Sequence, residues 1–177
     1  MKVTFDKSAV SDERVRKDVG EFLEKVDTLE KVNDQMVVIH QDGKDQGYYI
    51  RCSISATDVA SLLDLGARLN PASPESYRAN RDLRLQHKTY ERMRADAKMG
   101  REFSDIIVEF NTTYCPKTPL KVWGGQHRSK AIQDAVEAGS SRYHGFSVYF
   151  CLSKEQRAEL ALVSNTNIDV SNDLFDR

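Results

Sequence analysis

From Ile106 to Val163 the chain alternates strand-like apolar runs with amphipathic helical ones, and this alternation restricts the fold more than any other feature. Ile106 to Phe110 reads as a strand, Leu120 to Trp123 as a second, Arg128 to Ala138 as a helix ended by Gly139, and Phe146 to Leu152 as a third strand. Ser153 and Gln156 then form an S-x-x-Q capping box for a helix through Val163, with Leu160, Ala161 and Val163 turned inward. Strands and helices in alternation imply a mixed α/β (α+β) domain.

Upstream, Val15, Val19, Phe22, Val26 and Leu29 follow a 4-3-4-3 spacing that places them on one stripe of a helix beginning after Ser11. Two heptads fall short of the ~3 to 4 that a coiled coil needs. The stripe therefore favours a helix docked on the core over a homodimer seam. Met36 to His40 and Tyr48 to Ile54 read as strands, and Asp42 to Gly47 supplies the glycines and aspartates of a hairpin turn. Thr57 is expected to cap a short helix carrying Val59, Leu62, Leu63 and Leu65, with Gly66 as its stop. Residues 1–64 are thus expected as an N-terminal helix and β-hairpin extension, and 65–177 as the α/β domain.

The total of 177 residues suits one domain with such an extension. At 40% hydrophobic and 30% charged residues the chain is globular in composition, and no stretch approaches the ~18 apolar residues of a spanning helix. Lys and Arg total 26 against 27 Asp and Glu, so no global positive field gathers nucleic acid and any DNA contact must be local. Cys52, Cys115 and Cys151 are odd in number and form no CxxC pair, which points away from a disulfide framework and from a zinc knuckle. A reducing, cytoplasmic setting without a membrane partner is expected.

After Asn70-Pro71 and Ser73-Pro74, which open a loop, the chain turns basic. Arg78, Arg81, Arg84, Lys88, Arg92, Arg94, Lys98 and Arg101 face only Asp82, Glu91 and Asp96, while Leu83, Tyr90, Met93 and Ala97 keep helical spacing. The segment reads equally as an ordinary helix with a solvated face or as a face for anions.

Leu120 to Ile132 combines a strand, a Gly124-Gly125 corner and a helix start that carries Gln126, His127, Arg128, Ser129 and Lys130. Glycine permits close backbone approach, and the free N–H groups at a helix start favour an anion such as phosphate. Arg128 adds a planar fork for two phosphate oxygens, which favours a phosphate site over the alternative of a tight strand-to-helix turn whose polar residues face water. A second polar group, Ser164-Asn165-Thr166-Asn167, ends the following helix. Such side chains serve either as a cap or as oxygen donors to Mg²⁺ and a triphosphate.

From Leu65 to Leu174 the chain resembles the ParB/sulfiredoxin superfamily, and within it the ParB-like nucleotide-binding branch. The order of parts is similar: Asn70-Pro71 with Arg78 and Arg81, a helix, Gly100 and the strand Asp105 to Glu109, GGQHRSKAI in place of the G-E-R-R-x-x-A box, and ELALVSNTN in place of an E-L-A-L-I-E-N-x-x-R segment. The resemblance implies a pocket for a nucleoside triphosphate, CTP in chromosome-partitioning ParB proteins and ATP in some relatives. It implies phosphate contacts from Gly124, Gly125, Gln126, His127, Arg128, Ser129, Asn165, Thr166, Asn167, Arg78 and Arg81. It also implies an Mg²⁺ assisted by Asn165, with Gln126 and His127 positioning the triphosphate or a water as catalytic residues. Gln126 stands where ParB has Glu, His127 where it has Arg, Ser164 where it has Glu and Ile168 where it has Arg, so the base of the nucleotide stays open. The Q-H-R form is also similar to the D-G-Q-H-R motif of proteins associated with DNA modification and phage defence. In sulfiredoxin the catalytic cysteine would fall on Gln126, and a glutamine cannot form the thiosulfinate of sulfinic acid repair.

The leading expectation is therefore a ParB-like NTP-binding domain, a slow NTPase or nucleotide switch in DNA modification, segregation or defence. The alternative is a DNA-binding or nuclease module that grips backbone phosphates non-specifically with residues 78–101 and the QHR corner. A third is an interaction domain without ligand. The chain stops at Arg177, soon after the second box, where ParB proteins continue into a helix-turn-helix and a dimerisation tail. Either it is a fragment or it reads no operator by itself.

Overall fold

Ile106, Val108 and Phe110 alternate along one strand as Phe146, Val148 and Phe150 do along another, and a period of two commits all six to the same face of a sheet. The computed structural model describes residues 1–7, 11–43, 47–70 and 88–165. In chain order its elements are β1 (Val3–Phe5), α1 (Glu13–Lys25), α2 (Leu29–Val32), β2 (Val37–Gln41), β3 (Tyr48–Ser55), α3 (Ala56–Leu62) and β4 (Leu63–Asp64). There follow α4 (Lys88–Lys98), β5 (Ile106–Phe110), β6 (Leu120–Gly124), α5 (Gln126–Glu137), β7 (Tyr143–Phe150) and α6 (Lys154–Asn165). The seven strands form one mixed sheet in the order β1-β2-β3-β7-β5-β6-β4. β3 and β7 pair antiparallel from Tyr48↔Phe150 to Ser55↔Tyr143. The strands of residues 1–64 therefore continue directly into those of the later segment.

One face of the sheet carries the main core, in which Phe22 of α1, Val59 of α3 and Ile132 of α5 meet Ile50, Ile54, Val108, Val122 and Phe146. Phe22 packs edge-on against Phe110 and Phe150, with ring centroids 5.5 and 5.9 Å away. Such pairs add about 0.5 to 1.5 kcal/mol beyond area burial. α4 is one layer further out, where Tyr90 and Ala97 pack on Ala131 and Ala135 of α5. The opposite face is covered at β6 by α6, through Trp123, Ala161, Leu152 and Tyr149. Among the described residues no helix is long and apolar enough to cross a membrane.

The boundaries depart from the sequence reading where tertiary pairing outweighs local pattern. The first helix ends at Lys25, because Val26 and Asp27 turn extended and Thr28 bridges to Ile54. Leu29 instead starts a separate turn of helix and is partly exposed. Ser55, not Thr57, caps α3, its hydroxyl accepting from the Asp58 N–H at 3.3 Å. That helix stops at Leu62, before Gly66, because Leu63 and Asp64 pair with Leu120 and Lys121 of β6. The buried Lys121 ammonium, 3.0 Å from the Asp64 carboxylate, fixes this edge.

α5 begins at Gln126, two residues early, because Gly125 itself takes the N-cap position. β7 begins at Tyr143 because β3 offers it partners that far, and it ends at Phe150, where Cys151 turns to φ +54°. The Ser153/Gln156 capping box forms in both directions, at 2.8 and 3.2 Å. Val163 is a correction, for it lies 66% exposed while Ala161 is buried. At 3.6 residues per turn, two steps past Ala161 carry a side chain to the far side of the helix.

Candidate functional site: the diglycine corner

β6 is buried along its length, and it runs straight into the corner. Gly124 is its last residue and Gly125 turns the chain with φ +91°, a left-handed conformation that L side chains rarely adopt. Gly125 caps α5 without a side-chain hydrogen bond. The first N–H groups of α5 therefore receive nothing from a capping side chain. Three glycines around this corner are seats for polar side chains. A β-carbon on Gly124 would stand 2.8 Å from Ser164 Cβ, one on Gly125 3.0 Å from Arg128 Nη2, and one on Gly145 2.5 Å from Asp105 Oδ1.

Arg128 crosses from the first turn of α5 to the segment leading into β5. Its Nη1 donates to the carbonyl and hydroxyl of Ser104 and to the Asp105 carbonyl, the last at 3.1 Å. Burial pushes its pKa down and the Asp105 charge pulls it up. Among the described residues no carboxylate lies within ion-pair distance of the guanidinium, since the Asp105 carboxylate is drawn aside to Gly145 and the Ser147 hydroxyl. A half-buried cation thus rests on neutral acceptors at the start of a helix. Both features favour an anion.

The neighbouring side chains hold the corner in shape. Gln126 Nε2 donates to the Leu65 carbonyl at 3.1 Å, tying α5 to the chain just after β4. The His127 ring lies 6.1 Å from that of Tyr90, on the α4 side. Ser129 is fully buried, its hydroxyl donating to the Gly125 carbonyl at 3.0 Å. Lys130 binds Asp134 at 2.6 Å, and Asp134 also accepts from the Tyr90 hydroxyl. That carboxylate is held below its ordinary range by these donors, against the pull of burial.

Two expected groups come together. Ser164, beside Asn165 near the end of α6, sits on Gly124, so the polar end of the second box meets the diglycine of the first. α6 is held there by Arg157, whose Nε and Nη2 each lie 2.8 Å from the fully buried Glu109 carboxylate. Arg78, Arg81, Thr166 and Asn167 fall outside the described residues. Of the basic segment, Arg94 lies 3.9 Å from Asp134 and Arg101 2.8 Å from Asp96.

Sequence reasoning missed Ser104 altogether and placed Asp105 only as the first residue of a strand, which in the structure begins one residue later, at Ile106. The one signal for them is a short polar pair immediately before an apolar strand. It also missed that Trp123, next to the corner, is fully buried and that its indole N–H has no partner among the described residues. None of the three cysteines is at the corner: Cys52 is buried in the main core, Cys115 is exposed, and Cys151 donates to Asp18 at 2.9 Å. Among the described residues no group of three His, Cys, Asp or Glu is placed to hold a metal ion. Comparisons with family models, curated proteins and solved structures returned no match to the chain.

Proposed function

We propose that the diglycine corner binds the phosphates of a nucleoside triphosphate, and that the chain is a ParB-like nucleotide switch of the ParB/sulfiredoxin-like fold, serving DNA modification, segregation or defence in the cytoplasm. The observation that carries the reading is Arg128, a half-buried guanidinium with no carboxylate in ion-pair contact among the described residues, set at the start of α5, whose N-cap Gly125 gives no side-chain hydrogen bond. The Asp105 charge acts on this cation only from beyond ion-pair distance, and a half-buried cation without a direct counter-ion is costly, which a phosphate oxygen in contact with it offsets. The seat of Ser164 on Gly124 lends support, because it brings Asn165, the proposed partner of an Mg²⁺, to the same corner in backbone position. Mg²⁺ belongs to the proposal as the ion that accompanies a triphosphate, which it binds chiefly through phosphate oxygens. The Gln126 amide and the His127 ring face protein groups, which supports a part in shaping the corner and favours a switch over rapid hydrolysis.

Calorimetry with ATP, CTP, GTP and UTP, each with and without Mg²⁺, tests the proposal. Binding of at least one is expected, weakened by about 1.5 to 3 kcal/mol in a folded Arg128→Ala protein, the range for a hydrogen bond to a charged group. No heat with any of the four, or unchanged affinity in that variant, overturns it.

A further inference from the structure

The proposed phosphate site leaves open how Arg128 meets its ligand, and the donor geometry answers this. A guanidinium has five N–H donors in a rigid fork. Nη1 spends its donors on three acceptors, the Ser104 carbonyl, the Ser104 hydroxyl and the Asp105 carbonyl. Nε and Nη2 have no acceptor among the described residues. Their side of the fork lies across Gly125, with Nη2, Cζ and Nε 3.0, 3.2 and 3.2 Å from where a β-carbon would stand. Only glycine leaves that space. The segment that carries Ser104 is itself fixed, because the Asp105 carboxylate is seated on Gly145 and accepts from the Ser147 hydroxyl at 3.4 Å. Gly100 is likewise the seat of the Arg142 guanidinium, whose Nη1 donates to the Gly100 carbonyl at 3.1 Å.

We infer that Ser104 is a positioning residue: it anchors Nη1 of Arg128 so that the Nε–Nη2 edge is presented, already oriented, to two oxygens of a single phosphoryl group. The inference rests on the phosphate reading of the corner and adds the mode of recognition to it. A fork fixed before binding loses little rotamer freedom on contact, and two parallel N–H···O bonds match a tetrahedral oxyanion. The ligand class is therefore a terminal or bridging phosphoryl group met edge-on. A single-point charge such as a lysine ammonium would not substitute for the fork.

The anchor is testable without any ligand. In protein labelled at arginine nitrogen, Arg128 is expected to show separate Nη1 and Nη2 resonances from slow rotation about Nε–Cζ, identified by their loss in Arg128→Lys. Ser104→Ala should merge or broaden them, and Ser104→Thr, which restores a hydroxyl, should bring them back. With inorganic pyrophosphate and with Mg²⁺-ATP as probes, Ser104→Ala should weaken binding about 2- to 12-fold, the net worth of one ordinary hydrogen bond, since the hydroxyl acts on the ligand only through Arg128, and Ser104→Thr should recover it. Arg128→Lys should lose more than Ser104→Ala. If the wild-type signals are already merged, or if Ser104→Ala changes neither them nor the affinities, the positioning role is overturned while the phosphate site stands. If the wild-type signals are separate but neither probe binds, the phosphate reading itself falls. Ser104 is then a structural anchor only, which also overturns the inference.

Discussion

Ser164 Cβ lies 2.8 Å from the point where a β-carbon on Gly124 would be, so the end of α6 and the end of β6 can touch only because residue 124 has no side chain. Gly124 has no left-handed φ, so the objection to a larger residue there is steric alone. Gly124→Ala is expected to cost about 1 to 3 kcal/mol, the range for overpacking a filled site. Ser164→Gly should cost about 0.5 to 1 kcal/mol as a helical glycine. The double variant should be more stable than the sum of the singles by at least about 0.5 kcal/mol, as residues in contact behave. Urea denaturation of the four proteins measures this, and strict additivity would remove the contact from the account.

Glu109 and Arg157 form the other clamp on α6. The Glu109 side chain is almost wholly buried and that of Arg157 is 12% exposed, and the carboxylate also accepts from Asn111 Nδ2 at 3.2 Å. Removing one partner strands a charge out of water, so Glu109→Gln or Arg157→Met should each lose about 3 to 5 kcal/mol, whereas Glu109→Met with Arg157→Met should lose far less. Loss below about 1 kcal/mol in either single variant, against the several expected for a buried pair, would show that the pair is solvated in solution.

What could be read in advance and what could not divide along the same line. The diglycine between an apolar strand and a helix, and the Ser153/Gln156 box, are patterns a few residues long, and local physics suffices for both. Thr57 had the right chemistry for a cap but sat two residues past the one the sheet selected, because Ser55 ends a strand already paired with Tyr143. Leu63 was read as helical and was taken by Leu120. Ser104 was invisible because its partner is Arg128, and no local pattern links the segment before β5 to the first turn of α5. The corner was legible; the groups that orient its guanidinium were not.

The cysteines should separate by reactivity. The Cys151 thiol is pushed up to about 12 by burial and by its hydrogen bond to the Asp18 carboxylate, and burial raises Cys52 well above its ordinary value. Cys115 is exposed. Since the thiolate is the nucleophile, iodoacetamide at pH 7.5 should label Cys115 first and leave the other two until the protein unfolds. Replacing all three by Ser or Ala should leave nucleotide binding intact in protein that still folds. Labelling of Cys151 at the rate of Cys115 in folded protein would contradict the assignment.

His144 sets an acid limit on stability. It lies on β7 opposite Ile54, almost fully buried, and its Nε2 has no partner among the described residues. Burial first and the Arg142 charge second lower its pKa below 6.5, while Glu102 acts weakly the other way. Between that lowered value and 6.5 the unfolded chain binds more protons than the folded one, so stability rises with pH across this window. The contribution is fully present above pH 6.5 and is lost as pH falls toward the folded value. Urea midpoints at pH 7.5 and pH 5.0 should therefore differ, and His144→Gln should shrink the difference because the replacement does not titrate. Comparing the variant with wild type cancels the carboxylates that begin to protonate near the lower pH. An equal drop in both proteins would mean that His144 is solvated and charged in the folded state at pH 5.0.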